Sequence, residues 1–255
     1  MSSAFDIIFK GDKSKSAAYT KATTLFDAIG GMNEAPLQNS DVRIYCDNDE
    51  YGPGKRWQLV PDVAGAETPN SKLPLKKQQY LDHINQVTRH TGYMGCQKSP
   101  DILGVTYSMT LTPDTGADQN PKRAVISLCD AAFSQNSPRL LSDIGSDKDI
   151  TVNPITDFDY MLSLTFLHEL CHSPATLDIP ADDEAYGWEE IMELGSPEAI
   201  NAADSYAFLG LSAILNKRNV RIAADPTDAE EGMLEFITPP EDLYGKGKRG
   251  IAFTA

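Results

Sequence analysis

Apolar positions recur at helical spacing in two stretches of the chain. Between residues 14 and 29, Ala17, Ala18, Ala22, Leu25, Phe26 and Ile29 share one face and Gly30-Gly31 ends the run, which predicts a helix. Between residues 158 and 172, Phe158, Met161, Leu162, Thr165, Phe166 and Cys171 keep the same period. Asp157 or Asp159, after Pro154, is placed to cap the start of this second helix, and Pro174 to stop it. Alternation and β-branching predict strands over residues 41–46, 104–111 and 123–129, and a short one over 57–60. The Pro/Asp/Gly-rich piece 112–122 reads as the hairpin loop joining two of them. Residues 75–91 are predicted as a polar-faced helix carrying His83 and His90, and residues 189–194 and 196–216 as further helices. From Arg218 onward the chain is charged and interrupted by Pro226, Pro239 and Pro240, so it reads as an irregular tail. The elements imply an α+β fold. Residues 1–217 form one domain, and 218–255 are packed on it or trail from it.

Composition narrows the partners. A chain of 255 residues with 41% hydrophobic content can bury a sizeable core. No apolar run approaches the roughly 20 residues that span a bilayer, so no membrane partner is expected. Net charge is −15, which argues against nucleic acid, whose backbone demands a basic face. The field favours basic substrates, although solubility is the simpler reason for it. The N-terminus has neither a basic n-region nor a long apolar h-region, so no leader is read there. The four cysteines (Cys46, Cys96, Cys129, Cys171) have no C-x-x-C spacing, which excludes a zinc ribbon. Their even number suits an oxidising compartment, though buried thiols would give the same count. A monomer is expected.

The chemistry concentrates in the second helix, where His168-Glu169-Leu170-Cys171-His172 reads H-E-x-x-H. Two histidines four apart lie on one helical face, where one tetrahedral Zn²⁺ can take both imidazoles. Glu169 points beside the metal rather than at it, as a general base for the attacking water requires. Cys171 falls beside the two histidines, as a buried or disulfide-bonded thiol would. Catalytic zinc sites use a third protein ligand. No histidine follows His172, so that ligand is Asp or Glu. Asp178 would suit a compact H-E-x-x-H-x-x-G-x-x-D arrangement, but Ala175 stands where the turn needs glycine. Glu189, Glu190 and Glu193 flank, without matching, the register of a glutamate on a following helix. Asp183, eleven residues after His172, is the third placement, with Asp182 beside it.

His168-Glu169-x-x-His172 followed by Asp183-x-x-Tyr186-Gly187 resembles the deuterolysin-like (aspzincin) metalloendopeptidases, largely secreted fungal enzymes. Asn201-Ala202-Ala203-Asp204-Ser205-Tyr206 and the strand ahead of the motif are similar to that family too, so the likeness covers roughly residues 96–210. This chain has Pro180-Ala181 where the family has G-T, and one extra alanine before Asp204. The resemblance implies a two-lobed zincin-type fold with the cleft near residues 168–187. It implies one Zn²⁺ held by His168, His172 and Asp183, with Glu169 as general base and Tyr186 as donor to the oxyanion. It also implies Asp204 facing a basic substrate side chain, a Cys96–Cys129 disulfide that leaves Cys46 for Cys171, protein or peptide substrates, and secretion. The expected activity is peptide-bond hydrolysis. The alternative is a non-proteolytic secreted zinc-binding, antigen-like protein on the same scaffold, which would have no need of Glu169.

Overall fold

The computed structural model describes residues 4–11, 17–36, 39–85, 87–89, 95–108, 123–133, 154–179 and 185–237. The chain is mixed helix and sheet, with small sheets. Helices α1 (Ala4–Ile8) and α2 (Ala17–Gly30) come first. Strand β1 (Val42–Tyr45) runs parallel to β6 (Ala124–Leu128), and β5 (Gly104–Ser108) runs antiparallel to β6 on its other side. Among the described residues this gives a mixed sheet in the order β1-β6-β5, with β5 at an edge. A second sheet is the antiparallel meander β2 (Trp57–Leu59), β3 (Tyr80–Asp82), β4 (Val87–Arg89). Short helix α3 (Gly95–Lys98) precedes β5 and is tied to the end of β6 by the Cys96–Cys129 disulfide, as the resemblance implied. Cys46 and Cys171 do not form the remaining pair, because Cys46 is exposed and Cys171 lies fully inside the helical core.

The motif helix α4 (Leu162–Cys171) is followed by α5 (Gly187–Glu193), α6 (Ser196–Ala199) and α7 (Ala203–Lys217). It packs against α7 on one side and against β5 and β6 on the other. Leu170 meets Ile126 and Leu128 of β6. Leu164 and Cys171 join the main core with Trp188, Tyr206, Phe208 and Leu211. Alternation along β6 and β5 sends Val125 and Tyr107 to the other face, into a cluster with Trp57, Tyr80 and Val87 of the second sheet. The motif helix is therefore clamped between sheet and helices. Burial on both sides, more than intrinsic propensity, holds its ten residues in place.

Three further expectations are corrected. Within the predicted 75–91 helix, Tyr80–Asp82 and Val87–Arg89 instead pair as antiparallel strands. The Asp82 carboxylate accepts the main-chain N–H of Ile84 and Asn85 at 3.0 Å each, closing the turn, and receives Arg56 Nη1 at 2.9 Å. Neither Asp157 nor Asp159 caps α4: a 3₁₀ turn over Ile155–Phe158 intervenes, and Met161 is the N-cap with no side-chain bond. The segment after Arg218 is regular over 220–236, where β7 (Val220–Ile222) and β8 (Leu234–Phe236) pair antiparallel around α8 (Pro226–Glu230). The predicted 112–122 loop and the last residues of the tail lie outside the described residues.

Candidate metal centre and cleft

The last turn of α4 presents His168 and His172 on one face, as the four-residue spacing requires. His168 Nδ1 lies 2.6 Å from Asp204 Oδ1, at the start of α7. A carboxylate can only accept there, so the Nδ1 proton is on His168. His172 Nδ1 likewise donates to the Ile179 carbonyl at 2.9 Å. The chain reaches that point by folding back over the helix end after Pro174. Thr176 Oγ1 bonds the Leu170 carbonyl, and Ile179 N–H donates to Cys171 O at 3.0 Å. In the neutral rings both Nε2 atoms therefore carry lone pairs, and these two atoms face one another 3.3 Å apart.

That separation is a test of fit for zinc. Two nitrogens bound tetrahedrally at about 2.0–2.1 Å stand roughly 3.3–3.4 Å apart. Two lone pairs aimed together repel, and a shared cation turns that repulsion into ligation. Each ring is also oriented through its other nitrogen by a carboxylate or a carbonyl, the usual outer arrangement of a histidine metal site. The donor set fits Zn²⁺. Among the described residues no group of three His, Cys, Asp or Glu side chains gathers as a complete metal-binding set. Asp178, one candidate third ligand, is exposed and holds a positive φ of 54°. Asp183 and Asp182 lie in 180–184, outside the described residues.

The histidines open onto a cleft of about 910 Å³. One wall is β4, α3, residues 101–103 and β5; the other is α4 with Asp159, Tyr160, Tyr186, Asp204 and Phe208. Glu169 lines it too and is 5% exposed, with Thr106 Oγ1 2.8 Å from its Oε2. Tyr186 is 59% exposed, and its ring stacks on His168 at 5.8 Å between centroids. Asp204 faces the cleft, but both its oxygens are engaged within the protein: Oδ1 with His168, and Oδ2 with the Gly187 N–H at 2.5 Å. Gly187 takes φ +78°, a conformation that suits glycine. A Cβ there would stand 3.2 Å from Asp159 Oδ2, so the Asp159 and Asp204 carboxyls flank the same turn. Burial, with the neighbouring charges of Asp204, Glu189 and Asp157, pushes the Asp159 carboxyl up to about 7.

The motif histidines, Glu169, Tyr186 and Asp204 thus share one cleft. Thr106, Gly104, Asp159 and the Ile179 carbonyl were not read from sequence as parts of it. For Thr106 and Gly104 a usable signal exists, since both lie two apart on a predicted strand and so share a face. Nothing local marks Asp159 or the Ile179 carbonyl.

Comparison with known proteins points the same way. A neutral protease 2 homolog of Aspergillus clavatus is 26% identical over 133 residues, 52% of this chain and 34% of that protein. A probable neutral protease 2 homolog of Arthroderma benhamiae is 23% identical over 220 residues, 81% of this chain and 56% of that protein. A neutral protease 2 homolog of Arthroderma gypseum is 34% identical over 61 residues, 24% of this chain and 16% of that protein. These likenesses bear out the resemblance to the deuterolysin-like family. The chain spans between about a sixth and just over half of the length of these relatives. No family model matches the chain, and no solved structure matches it.

Proposed function

We propose that this chain is a zinc-dependent endopeptidase. The observation that carries the reading is the convergence of two imidazole Nε2 atoms, 3.3 Å apart, with both Nδ1 protons tied off. His168 and His172 hold the metal, and Asp183 is the proposed third ligand. Zinc, when bound, supplies Lewis acidity that makes water nucleophilic near neutral pH and polarises a carbonyl. Glu169 takes the proton of the attacking water and hands it to the leaving amine. Its position in the cleft, one residue from a ligand yet turned toward Thr106, supports that role. Tyr186 is the donor to the developing oxyanion; its exposure at the cleft and stacking on His168 support this. Asp204, proposed from the resemblance to meet a basic substrate side chain, is better supported as the residue that orients His168.

An extended peptide would lie along β5, an edge strand whose main chain can pair with it. The −15 charge supports a preference for basic proteins. A motif helix held between a mixed sheet and a helical body supports the two-lobed zincin reading. The Cys96–Cys129 disulfide supports an extracellular protein, and no described helix is long and apolar enough to cross a membrane. The test is cleavage of a denatured basic protein by wild type and Glu169→Gln, with zinc measured in both. The expected result is equal zinc and cleavage by the wild type alone. Equal zinc with cleavage by neither would establish a zinc-binding protein instead.

A further inference from the structure

We infer that Thr106 and Gly104 are the positioning residues that fix the Glu169 carboxylate in its working orientation, Thr106 by a hydrogen bond and Gly104 by the space it leaves. The inference rests on the reading of Glu169 as general base. Alternation along β5 turns residues 104 and 106 toward α4, while Val105 and Tyr107 enter the cluster between the two sheets. Thr106 Oγ1 stands 2.8 Å from Glu169 Oε2 and also 2.8 Å from the Glu169 main-chain carbonyl. Two residues earlier, a Cβ on Gly104 would lie 2.9 Å from Glu169 Oε1 and 2.9 Å from its Cγ, closer than real Cβ contacts come. One strand thus grips one carboxylate oxygen and makes room for the other.

The arrangement suits a group that must gain and lose a proton without moving. A threonine hydroxyl has one proton to give and lone pairs to receive another. With Glu169 ionised, the hydroxyl donates to Oε2. Once Oε2 carries the proton, the hydroxyl can donate to the Glu169 main-chain carbonyl and accept from the protonated carboxyl. Neither state requires the heavy atoms to shift from their 2.8 Å spacings. Because β5 is also the edge along which substrate would lie, the base is anchored to the same backbone that would register the scissile bond.

The test compares Thr106→Val, which keeps the shape and removes the hydroxyl, with Thr106→Ser, which keeps the hydroxyl, and with Gly104→Ala. Peptide cleavage, zinc content and thermal unfolding are measured on the full chain. Thr106→Val is expected to lower kcat by about 10- to 100-fold, as losing a hydrogen bond to a charged acceptor does. Its KM should stay within about twofold of wild type, with zinc content unchanged. Thr106→Ser should recover kcat to within roughly threefold of wild type. Gly104→Ala approaches the carboxylate from the other oxygen and should lower kcat by at least about tenfold with zinc retained. The inference is overturned if Thr106→Val keeps wild-type kcat. It is equally overturned if the loss is one of zinc or folding that Ser does not restore, which would make Thr106 a strut between strand and helix. A wild type that holds zinc and cleaves nothing defeats the general-base reading itself. A cutting wild type with an indifferent Thr106→Val defeats this inference alone.

Discussion

Replacing Asp204 by alanine strikes the proposed metal centre without touching a ligand. Its carboxylate accepts the His168 Nδ1–H at 2.6 Å and the Gly187 N–H at 2.5 Å, and the residue is 9% exposed. The substitution leaves two donors without their acceptor. Each such buried donor costs about 1–3 kcal/mol, and the cleft lets water offset part of it, so apoprotein stability should fall by about 2–3 kcal/mol. The metal feels a separate loss, because His168 is no longer fixed in tautomer and ring angle and its Nε2 becomes less basic. Removing such an outer partner typically weakens metal binding by about 10- to 100-fold, or roughly 1.4–2.7 kcal/mol. Asp204→Asn keeps one acceptor oxygen for two donors and should fall between wild type and alanine. Zinc affinity is read by competition with a chelating indicator, and apoprotein stability by urea unfolding. An Asp204→Ala protein that binds zinc within about twofold of wild type would refute the argument that this carboxylate sets the ligand.

Other outcomes follow from the same geometry. Asp159 titrates at about 7 in the folded protein against roughly 4 in the unfolded chain, so its contribution to stability is present below pH 4 and is lost as pH rises toward 7. Zinc-free Asp159→Asn should therefore exceed wild type in urea stability at pH 8, by on the order of 1 kcal/mol once solvent screening is allowed for, and that advantage should shrink steadily as pH falls and vanish below about pH 4. Arg56 lies 2.7–2.9 Å from Asp47, Asp49 and Asp82 and is almost fully buried. Arg56→Met should cost about 3–5 kcal/mol in denaturant unfolding, since it leaves buried carboxylates without their cation; a loss below about 1 would show the network to be dispensable. Cys96 and Cys129 are 33 residues apart, so the Cys96→Ser/Cys129→Ser double variant should be less stable by about 3–4 kcal/mol in the same assay.

Much of the fold was legible because its signals are local. The period of Met161, Leu162, Phe166 and Cys171 marks a helix in any context. Four of the β-branched or aromatic alternations, at 42–45, 57–59, 104–108 and 124–128, became strands. The pairing of residues 80–82 with 87–89 was not legible, because what buries Asp82 is Arg56, 26 residues away, and residues 75–79 are rich in lysine and glutamine, which favour helix. The cap of α4 was not legible for a related reason. Asp159 is of the type and in the place for an N-cap, but the 3₁₀ turn carries it into the cleft wall, and Met161 takes the cap position.

Within the site, the two histidines and Glu169 could be read from spacing alone. Asp204 could be singled out only through the family resemblance, which implies a different part for it. Nothing near Ala203-Asp204-Ser205 says that the carboxylate crosses to a ring 36 residues earlier. Thr106 and Gly104 face the helix because β5 pairs antiparallel with β6 in one register, and that register is settled by packing rather than by any residue of β5 itself.

The most direct test of the central claim is the metal itself. Zinc per chain should be measured after exhaustive dialysis of wild type, His168→Ala and His172→Ala, with X-ray absorption at the zinc edge of the wild-type sample. The account predicts about one zinc per wild-type chain, with two imidazole nitrogens at about 2.0–2.1 Å and the remaining ligands oxygen, and loss of that zinc in both variants. Zinc that dialyses away from the wild type as readily as from the variants, or that is bound through sulfur, would contradict it.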